Sequence, residues 1–181
     1  MNRRLEGMTL VEACSVLAVV GVILAAFLPT FFRNVRTSKL EEATDELERL
    51  HQATAAYFAA DHVVDGHHRR HCLPSAAGPA PAQTSERAVD VDFRAEATPG
   101  VATWTALGFQ PDRPIRYRYT ILPRQVGCDL NAPVGTALVT FRAEGDLDGD
   151  TARSTFERSA GVDAHGNLVP IDILFVRNRV E

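Results

Sequence analysis

A single carboxylate stands inside a long apolar run near the start of this chain. Residues 7–32 read GMTLVEACSVLAVVGVILAAFLPTFF, and Glu12 is the one charged residue among them. Moving a carboxylate into the hydrocarbon core of a bilayer costs about 2.5–3.5 kcal/mol, so a residue in that position needs a partner. The chemistry that suits it is an ion pair with an amine.

The chain itself would supply such an amine if it were cut. Cleavage after Gly7 would make Met8 the new N-terminus and give it a free α-amino group, with Glu12 one helical turn away. A carboxylate in the first turn is favoured by the helix dipole. Within the membrane it can also pair with the terminal amine of a neighbouring subunit.

The start of the chain resembles the N-terminus of type IV pilins and pilin-like proteins. That family has a short basic leader ending in Gly, a cut before an aromatic residue or Met, then Thr-Leu-(Ile/Val)-Glu and an apolar helix. The matching residues here are Arg3, Arg4, Glu6, Gly7, Met8, Thr9, Leu10, Val11 and Glu12. An ordinary signal peptide has a shorter apolar core, and its cleavage site follows that core.

The specific motif covers roughly the first fifty residues, and the rest of the chain is similar only in layout. Pro29 matches a proline that many members carry near the end of the membrane segment. Its missing N–H predicts a bend or local melting of the helix, and the resemblance implies unwinding there in filaments. Two departures are Met8, where Phe is commoner, and Arg49, where a second proline often occurs.

The resemblance implies a structural subunit rather than an enzyme. A prepilin peptidase would cut after Gly7 and methylate Met8, and the subunit would wait in the bacterial inner membrane with its head in the periplasm. An assembly platform would then add it to an extracellular pilus with other copies and other pilins. Glu12 would set register by neutralising the next subunit's amine.

Several functions stay open at this stage. Within the family the choices are a major pilin serving adhesion, twitching motility or DNA uptake, a minor priming pilin, and a pseudopilin of a type II secretion system. The alternative of another class is a monomeric, membrane-anchored binding domain. The formal net charge of −4 gives no support for nucleic-acid binding.

One acidic motif suggests calcium. Asp146, Asp148, Asp150 and Glu157 fill the first, third, fifth and twelfth places of a calcium-binding loop. The sixth place, which needs glycine, holds Thr151, and an acidic turn between two strands is the alternative. Calcium is therefore a possible cofactor and no other is indicated.

Two of the three cysteines lie in the polar part of the chain. In an exported domain, Cys72 and Cys128 predict a disulfide, which would stabilise the head by about 4 kcal/mol; two free thiols are the alternative. Cys14 is most simply a small apolar residue of the membrane run. The nearby residues His62, His67, His68 and His71 match no standard zinc spacing and indicate an exposed loop. No nucleophile elbow or phosphate-binding loop is recognisable in the sequence.

A long helix must position these residues. Leu40, Ala43, Leu47, Leu50, Thr54, Tyr57 and Phe58 recur at three- and four-residue steps after the membrane run. A helix over residues 9–60 would be roughly 78 Å long, well beyond the ~30 Å of a bilayer core. Its second half must bury its apolar stripe elsewhere.

Alternating patterns predict about four strands: 115–122, 137–143, 155–162 and 168–176. A long helix on one face of an antiparallel sheet buries both apolar surfaces, which predicts an α+β, pilin-like fold. Trp104, Leu107 and Phe109 are predicted core residues. The expected segments are a leader (1–7), a membrane and assembly helix (8–32), an amphipathic continuation (33–60), a loop-rich region (61–113) and the sheet head (114–181).

Overall fold

The computed structural model describes residues 9–171 and 174–178, with side chains in the first helix described for residues 10–28 and 40–59. The chain divides into two compact units, Met1–Lys39 and Leu40–Glu181. One helix, α1 (Leu10–Ala59), begins in the first unit and ends in the second. The helix predicted over residues 9–60 is therefore confirmed almost to the residue.

In the first unit, α1 presents an apolar surface. The segment Leu10–Leu28 contains 19 residues with a mean hydropathy of 2.5, and none of it is buried within the chain. Side chains such as Val11, Leu17 and Val22 are at least 70% exposed. This segment is long and apolar enough to cross a membrane. The helix continues through Pro29, so it does not melt there.

In the second unit, the other half of α1 forms part of the hydrophobic core. Ala43, Leu47, Leu50 and Phe58 are buried, as the three- and four-residue periodicity predicts. Thr54 is buried on the same face, and its hydroxyl is satisfied there because it donates to the Leu50 carbonyl oxygen. Over the described residues 40–59, the helix therefore has the predicted buried apolar stripe.

After α1, the described residues form eight strands and one short helix. They are β1 (His62–Val64), β2 (His67–Arg69), β3 (Ala77–Ala80), α2 (Val101–Leu107), β4 (Arg118–Pro123), β5 (Ala137–Gly145), β6 (Ser154–Val162), β7 (Leu168–Pro170) and β8 (Phe175–Arg177). The segment 61–113, expected to be mainly loop, thus contains three strands and a helix. Strands β1 and β2 form a separate hairpin from the histidine-rich sequence.

The remaining strands form one antiparallel sheet of six strands, in the order β3-β4-β5-β6-β7, with β8 also pairing with β6. The α+β class is confirmed, but the expected four strands were too few. Strand β3 lies at one edge and has no alternating pattern to reveal it. The predicted strand 168–176 is divided into β7 and β8, which pair with different parts of β6.

Aromatic side chains fill the core beside the sheet. Trp104 and Phe109 are buried as predicted, and Leu107 is 8% exposed. The Phe93 ring lies edge-on to Trp104, with centroids 4.9 Å apart, and edge-on to Phe109 at 5.5 Å. The Trp104 indole donates to the Pro99 carbonyl oxygen at 2.9 Å, so its polar atom is satisfied inside the core.

Candidate functional site

The residues at the start of α1 form a reciprocal cap. The Thr9 backbone N–H and its hydroxyl each donate to Glu12 Oε2 at 2.9 Å, and the Glu12 backbone N–H donates to Thr9 Oγ1 at 3.3 Å. This is a capping box, in which a threonine before the helix and a glutamate three residues later satisfy each other's free N–H groups. The sequence Thr9-x-x-Glu12 carries the signal for it.

The cap fixes where the Glu12 carboxylate lies. Its Oε2 atom is occupied by Thr9, while its Oε1 atom has no hydrogen-bond partner within the described residues 9–171 and 174–178. Both residues are exposed. The carboxylate is therefore held at the helix start with one oxygen available to an outside donor. Gly7 and Met8 lie outside the described residues, so cleavage and methylation stay predictions.

The exposed apolar surface of the first unit surrounds this carboxylate. Cys14 is exposed on the same helix, as are Leu10 and Phe27. Large exposed apolar surfaces are typical of segments that contact a membrane or another protein. Pro29 lies just after this segment, and its backbone is helical.

Cys72 and Cys128 form a disulfide, as predicted. Beside it, the Leu73 and Gly127 backbones exchange hydrogen bonds, Leu73 N–H to Gly127 O at 2.8 Å and Gly127 N–H to Leu73 O at 3.0 Å. The disulfide therefore joins the segment after the β1–β2 hairpin to the loop between β4 and β5. This closure stabilises the head rather than forming a reactive site.

The three aspartates of the acidic motif converge in the β5–β6 loop. One oxygen of each of Asp146, Asp148 and Asp150 lies within 4.8 Å of the others. The Asp146 carboxylate already accepts from Gly149 N–H at 2.8 Å and Thr151 N–H at 3.2 Å. Thr151 has a positive φ of 76°, so the sixth place adopts the backbone conformation that favours glycine.

Glu157 does not join these aspartates, which corrects the predicted set of four ligands. It lies in β6 opposite Arg142 of β5, and the Arg142 Nε donates to its Oε1 at 2.5 Å. The calcium-loop spacing fails here because strand β6 begins at Ser154, where the motif requires the chain to keep turning. The motif therefore forms an exposed turn that carries three carboxylates.

The histidines after α1 have separate partners. His62 Nε2 lies 2.7 Å from the Tyr57 carbonyl oxygen, His68 Nδ1 lies 2.8 Å from Asp61, and the His71 ring stacks on Phe58. These contacts attach the hairpin to the end of α1. The residues expected to form an exposed loop therefore form a structured hairpin whose strands are mostly exposed.

Sequence reasoning missed two buried glutamates of α1, one of which attaches the helix to the segment before β4. Glu42 is 4% exposed, and its Oε1 accepts from the backbone N–H groups of Arg116 at 2.6 Å and Tyr117 at 3.3 Å. Its Oε2 accepts from the Arg116 guanidinium at 3.1 Å. Glu46 is 1% exposed and pairs with Arg49 at 2.9 Å. Their positions beside Ala43 and Leu47 in the apolar stripe are the available signal.

Burial determines the electrostatics of this helix–sheet contact. It raises the pKa of Glu46, and the Arg49 guanidinium opposes that rise. Burial also raises the pKa of Tyr117 to about 12 and that of Tyr119 well above its ordinary value, with the Glu42 carboxylate adding to both. Both phenols therefore stay neutral at physiological pH.

In comparisons with known proteins, no protein-family model, no curated protein and no solved structure matches this chain.

Proposed function

We propose that this chain is a type IV pilin-like subunit that is cut after Gly7 and polymerises into a surface filament through its apolar helix. The observation that carries the proposal is the start of α1. There, the capped carboxylate of Glu12 has one oxygen without a hydrogen-bond partner among the described residues, at the start of the exposed apolar segment Leu10–Leu28. A monomer outside a membrane has nothing to cover such a surface.

In this proposal the subunit is anchored in the membrane before assembly. The segment Leu10–Leu28 crosses the inner membrane, with the head in the periplasm, and helices of other copies replace lipid as the subunit enters the filament. The α-amino group of a neighbour's Met8 then reaches the free oxygen of Glu12. Because an unpaired charge is unfavourable in these apolar surroundings, the pair fixes the register of the added subunit.

The head, the unit Leu40–Glu181, has a structural role and provides exposed surface. Its disulfide closes a loop within the head, and Glu42 attaches α1 to the segment before β4, which suits a domain that must stay folded outside the cell. The partners in this proposal are other copies, other pilins, the prepilin peptidase and the inner-membrane assembly platform.

The test combines a substitution with analysis of the mature N-terminus. Full-length protein carrying Glu12→Ala, Glu12→Gln or the control Cys14→Ala is produced in the native host, and filaments sheared from the cells are analysed by mass spectrometry. We expect wild-type and Cys14→Ala filaments to contain chains that begin with methylated Met8. Both Glu12 variants should be cut but should accumulate in the membrane.

Three results would contradict the proposal. If Glu12→Ala is incorporated into filaments normally, the carboxylate does not set the register of the subunits. A wild-type chain that keeps its first seven residues would instead indicate a plain membrane anchor. If cut chain is found only in the envelope, the result would indicate a pseudopilin or a scarce priming subunit instead of a pilus subunit.

A further inference from the structure

The strand β8 forms an outer edge of the six-stranded sheet. Its residues Phe175, Val176 and Arg177 face three consecutive residues of β6 in antiparallel register. Among the described helices and strands, β6 is the only one that contacts β8. The side of β8 that points away from β6 therefore has no strand beside it in the described part of the chain.

The end of β7 shows in which direction β6 points its backbone hydrogen-bonding groups. Ile171, directly after β7, faces Ser159 of β6, and its N–H donates to the Ser159 carbonyl oxygen at 3.1 Å. Ser159 therefore directs its N–H and C=O toward β7 and β8. In a regular antiparallel strand every second residue points the same way, so Thr155 and Glu157 do so as well.

Val176 consequently directs its backbone groups away from β6. Glu157 and Thr155 face Phe175 and Arg177, so these two residues of β8 exchange the backbone hydrogen bonds with β6. Val176 lies between them and points the other way. Neither its N–H nor its C=O has a hydrogen-bond partner within the part of the chain that the structure describes. An unpaired N–H and C=O on a sheet edge can accept a further strand.

The side chains of β8 divide between the two faces of the sheet. Val176 packs against the core, whereas Phe175 is 55% exposed and Arg177 is exposed. On the face that carries Phe175 and Arg177, the ion pair between Arg142 and Glu157 is formed without Arg177. Among the described residues, the Arg177 guanidinium has no ion-pair partner of its own. An exposed ring and an unpaired cation thus lie two positions apart on one strand.

The length of β8 limits what can pair with it. Asn178 follows the strand with a positive φ of 51°, so the extended backbone ends at Arg177. Val176 is then the one residue of β8 whose backbone points outward, and a long peptide would gain little from it. The edge suits a partner of matching length whose side chains complement Phe175 and Arg177. A second β8 has both properties.

We propose that β8 of one copy pairs with β8 of a second copy in antiparallel register centred on Val176. The two Val176 residues exchange their N–H···O=C bonds, and Phe175 of each copy faces Arg177 of the other. Each guanidinium can then lie against an aromatic ring, and the attraction occurs twice because the pair is symmetric. The contact goes beyond the proposed function, because it joins two heads and uses no residue of the apolar helix.

Cysteine cross-linking in the full-length protein tests this register. One chain carries Phe175→Cys, a second chain lengthened by a tag carries Arg177→Cys, and both carry Cys14→Ser. The purified chains are mixed in detergent, oxidised and separated by electrophoresis without reductant. In the proposed pair the two new cysteines face each other with Cα atoms about 4.5 Å apart, within reach of a disulfide. We expect a dimer that contains one chain of each kind.

Each chain alone provides a control. Identical positions of the two copies lie about 8 Å apart in this register, beyond the reach of a disulfide, so neither chain alone should form as much dimer as the mixture. A mixture in which Glu96→Cys, at an exposed position elsewhere in the head, replaces Arg177→Cys should also give little dimer. The proposal is overturned if the mixed dimer is no more abundant than in these controls, or if Phe175→Cys alone dimerises equally well.

Two substitutions at Val176 separate the backbone contact from the side chain. Val176→Pro removes the outward N–H, and proline is tolerated on an edge strand where that N–H faces away from the sheet. Val176→Ala loses side-chain packing but keeps the N–H. Introduced into both cross-linking chains, Val176→Pro should give at least about fivefold less mixed dimer than Val176→Ala. Equal yields from the two variants, both folded by their thermal midpoints, would overturn the proposal. If Val176→Pro does not fold, the comparison of mixed and single chains decides.

The same cross-linking in chains that also carry Glu12→Ala distinguishes this contact from filament assembly. We expect the mixed dimer to remain, because β8 lies in the unit Leu40–Glu181 and Glu12 does not. That result holds whether or not the chain forms filaments, so the proposed function and this contact can fail separately. Loss of the mixed dimer from folded Glu12→Ala chains would show that the apolar helix joins the copies, and would overturn the pairing of β8.

Discussion

Glu12, Glu42 and Glu46 show three ways in which this chain provides hydrogen-bond donors for a carboxylate. Glu12 accepts from Thr9 within its own helix start, Glu42 accepts from the backbone of a distant segment, and Glu46 pairs with Arg49 one turn away. Two of them use backbone N–H groups, which cannot rotate away. The Glu12 and Glu46 contacts both join residues three positions apart and have a local signal in the sequence, whereas the Glu42 contact joins distant segments and has none.

His51 should make the stability of the head depend on pH. Its side chain is buried in the helix–sheet contact, with the Phe141 ring edge-on at 6.2 Å and Glu48 Oε1 at 3.9 Å. Burial lowers its pKa, an effect that the Leu168 backbone partly offsets. The unfolded chain therefore takes up this proton at a higher pH than the folded one, and stability falls as pH drops below about 6.5.

The measurement is the thermal midpoint of the full-length protein in detergent between pH 7.5 and pH 5. We expect the loss on acidification to be smaller in His51→Leu than in wild type. His165→Ala, which alters an exposed histidine, should keep the wild-type dependence. The other charged groups near His51 are Glu48 and its partner Arg158, and both are retained in these variants. An unchanged pH dependence in His51→Leu would contradict the assignment.

At the scale of elements, Glu42 links α1 to the start of β4. Removing its carboxylate leaves the N–H groups of Arg116 and Tyr117 without their acceptor at a buried contact. We expect Glu42→Ala to lower the free energy of unfolding by about 2–3 kcal/mol, since Arg116 is partly exposed and can be rehydrated. Denaturant unfolding of the full-length protein measures this loss.

The neighbouring residue provides a matched control for that experiment. Glu41 is exposed on the same helix, so Glu41→Ala should change the free energy of unfolding by less than about 0.5 kcal/mol. Glu42→Gln keeps an acceptor oxygen and should fall between the two. Equal effects of Glu41→Ala and Glu42→Ala would show that helix composition, and not the link to β4, determines the loss.

At the scale of the whole molecule, elements with a periodic apolar pattern could be predicted from the sequence, but the strand pairing could not. The helix α1 follows from a stripe repeated over many turns, and β5 and β6 follow from clear alternation. Strand β3 contains Gly78 and Pro79 and has no such alternation, so its place in the sheet depends on pairing with β4, far along the chain. Glu157 was misassigned for the same reason, because spacing alone does not show where a strand begins.

The disulfide should contribute to the stability of the whole head. Cys72 and Cys128 are 56 positions apart, and closing a loop of this length stabilises a chain by about 4 kcal/mol in the chain-entropy model. Replacing both by serine should lower the free energy of unfolding by about 2–5 kcal/mol, with Cys14→Ser as the control. Denaturant unfolding with and without reductant is the measurement. A wild-type protein unaffected by complete reduction would contradict it.

The prolines near the edge strand β3 have a consequence for this protein at high concentration. Pro79 lies within β3 and Pro81 directly follows it, and neither has a backbone N–H to offer a neighbouring strand. Exposed sheet edges at high local concentration are templates for fusion into continuous sheets. An edge with missing donors is a poor template for such pairing, so β3 does not favour joining the sheets of two copies.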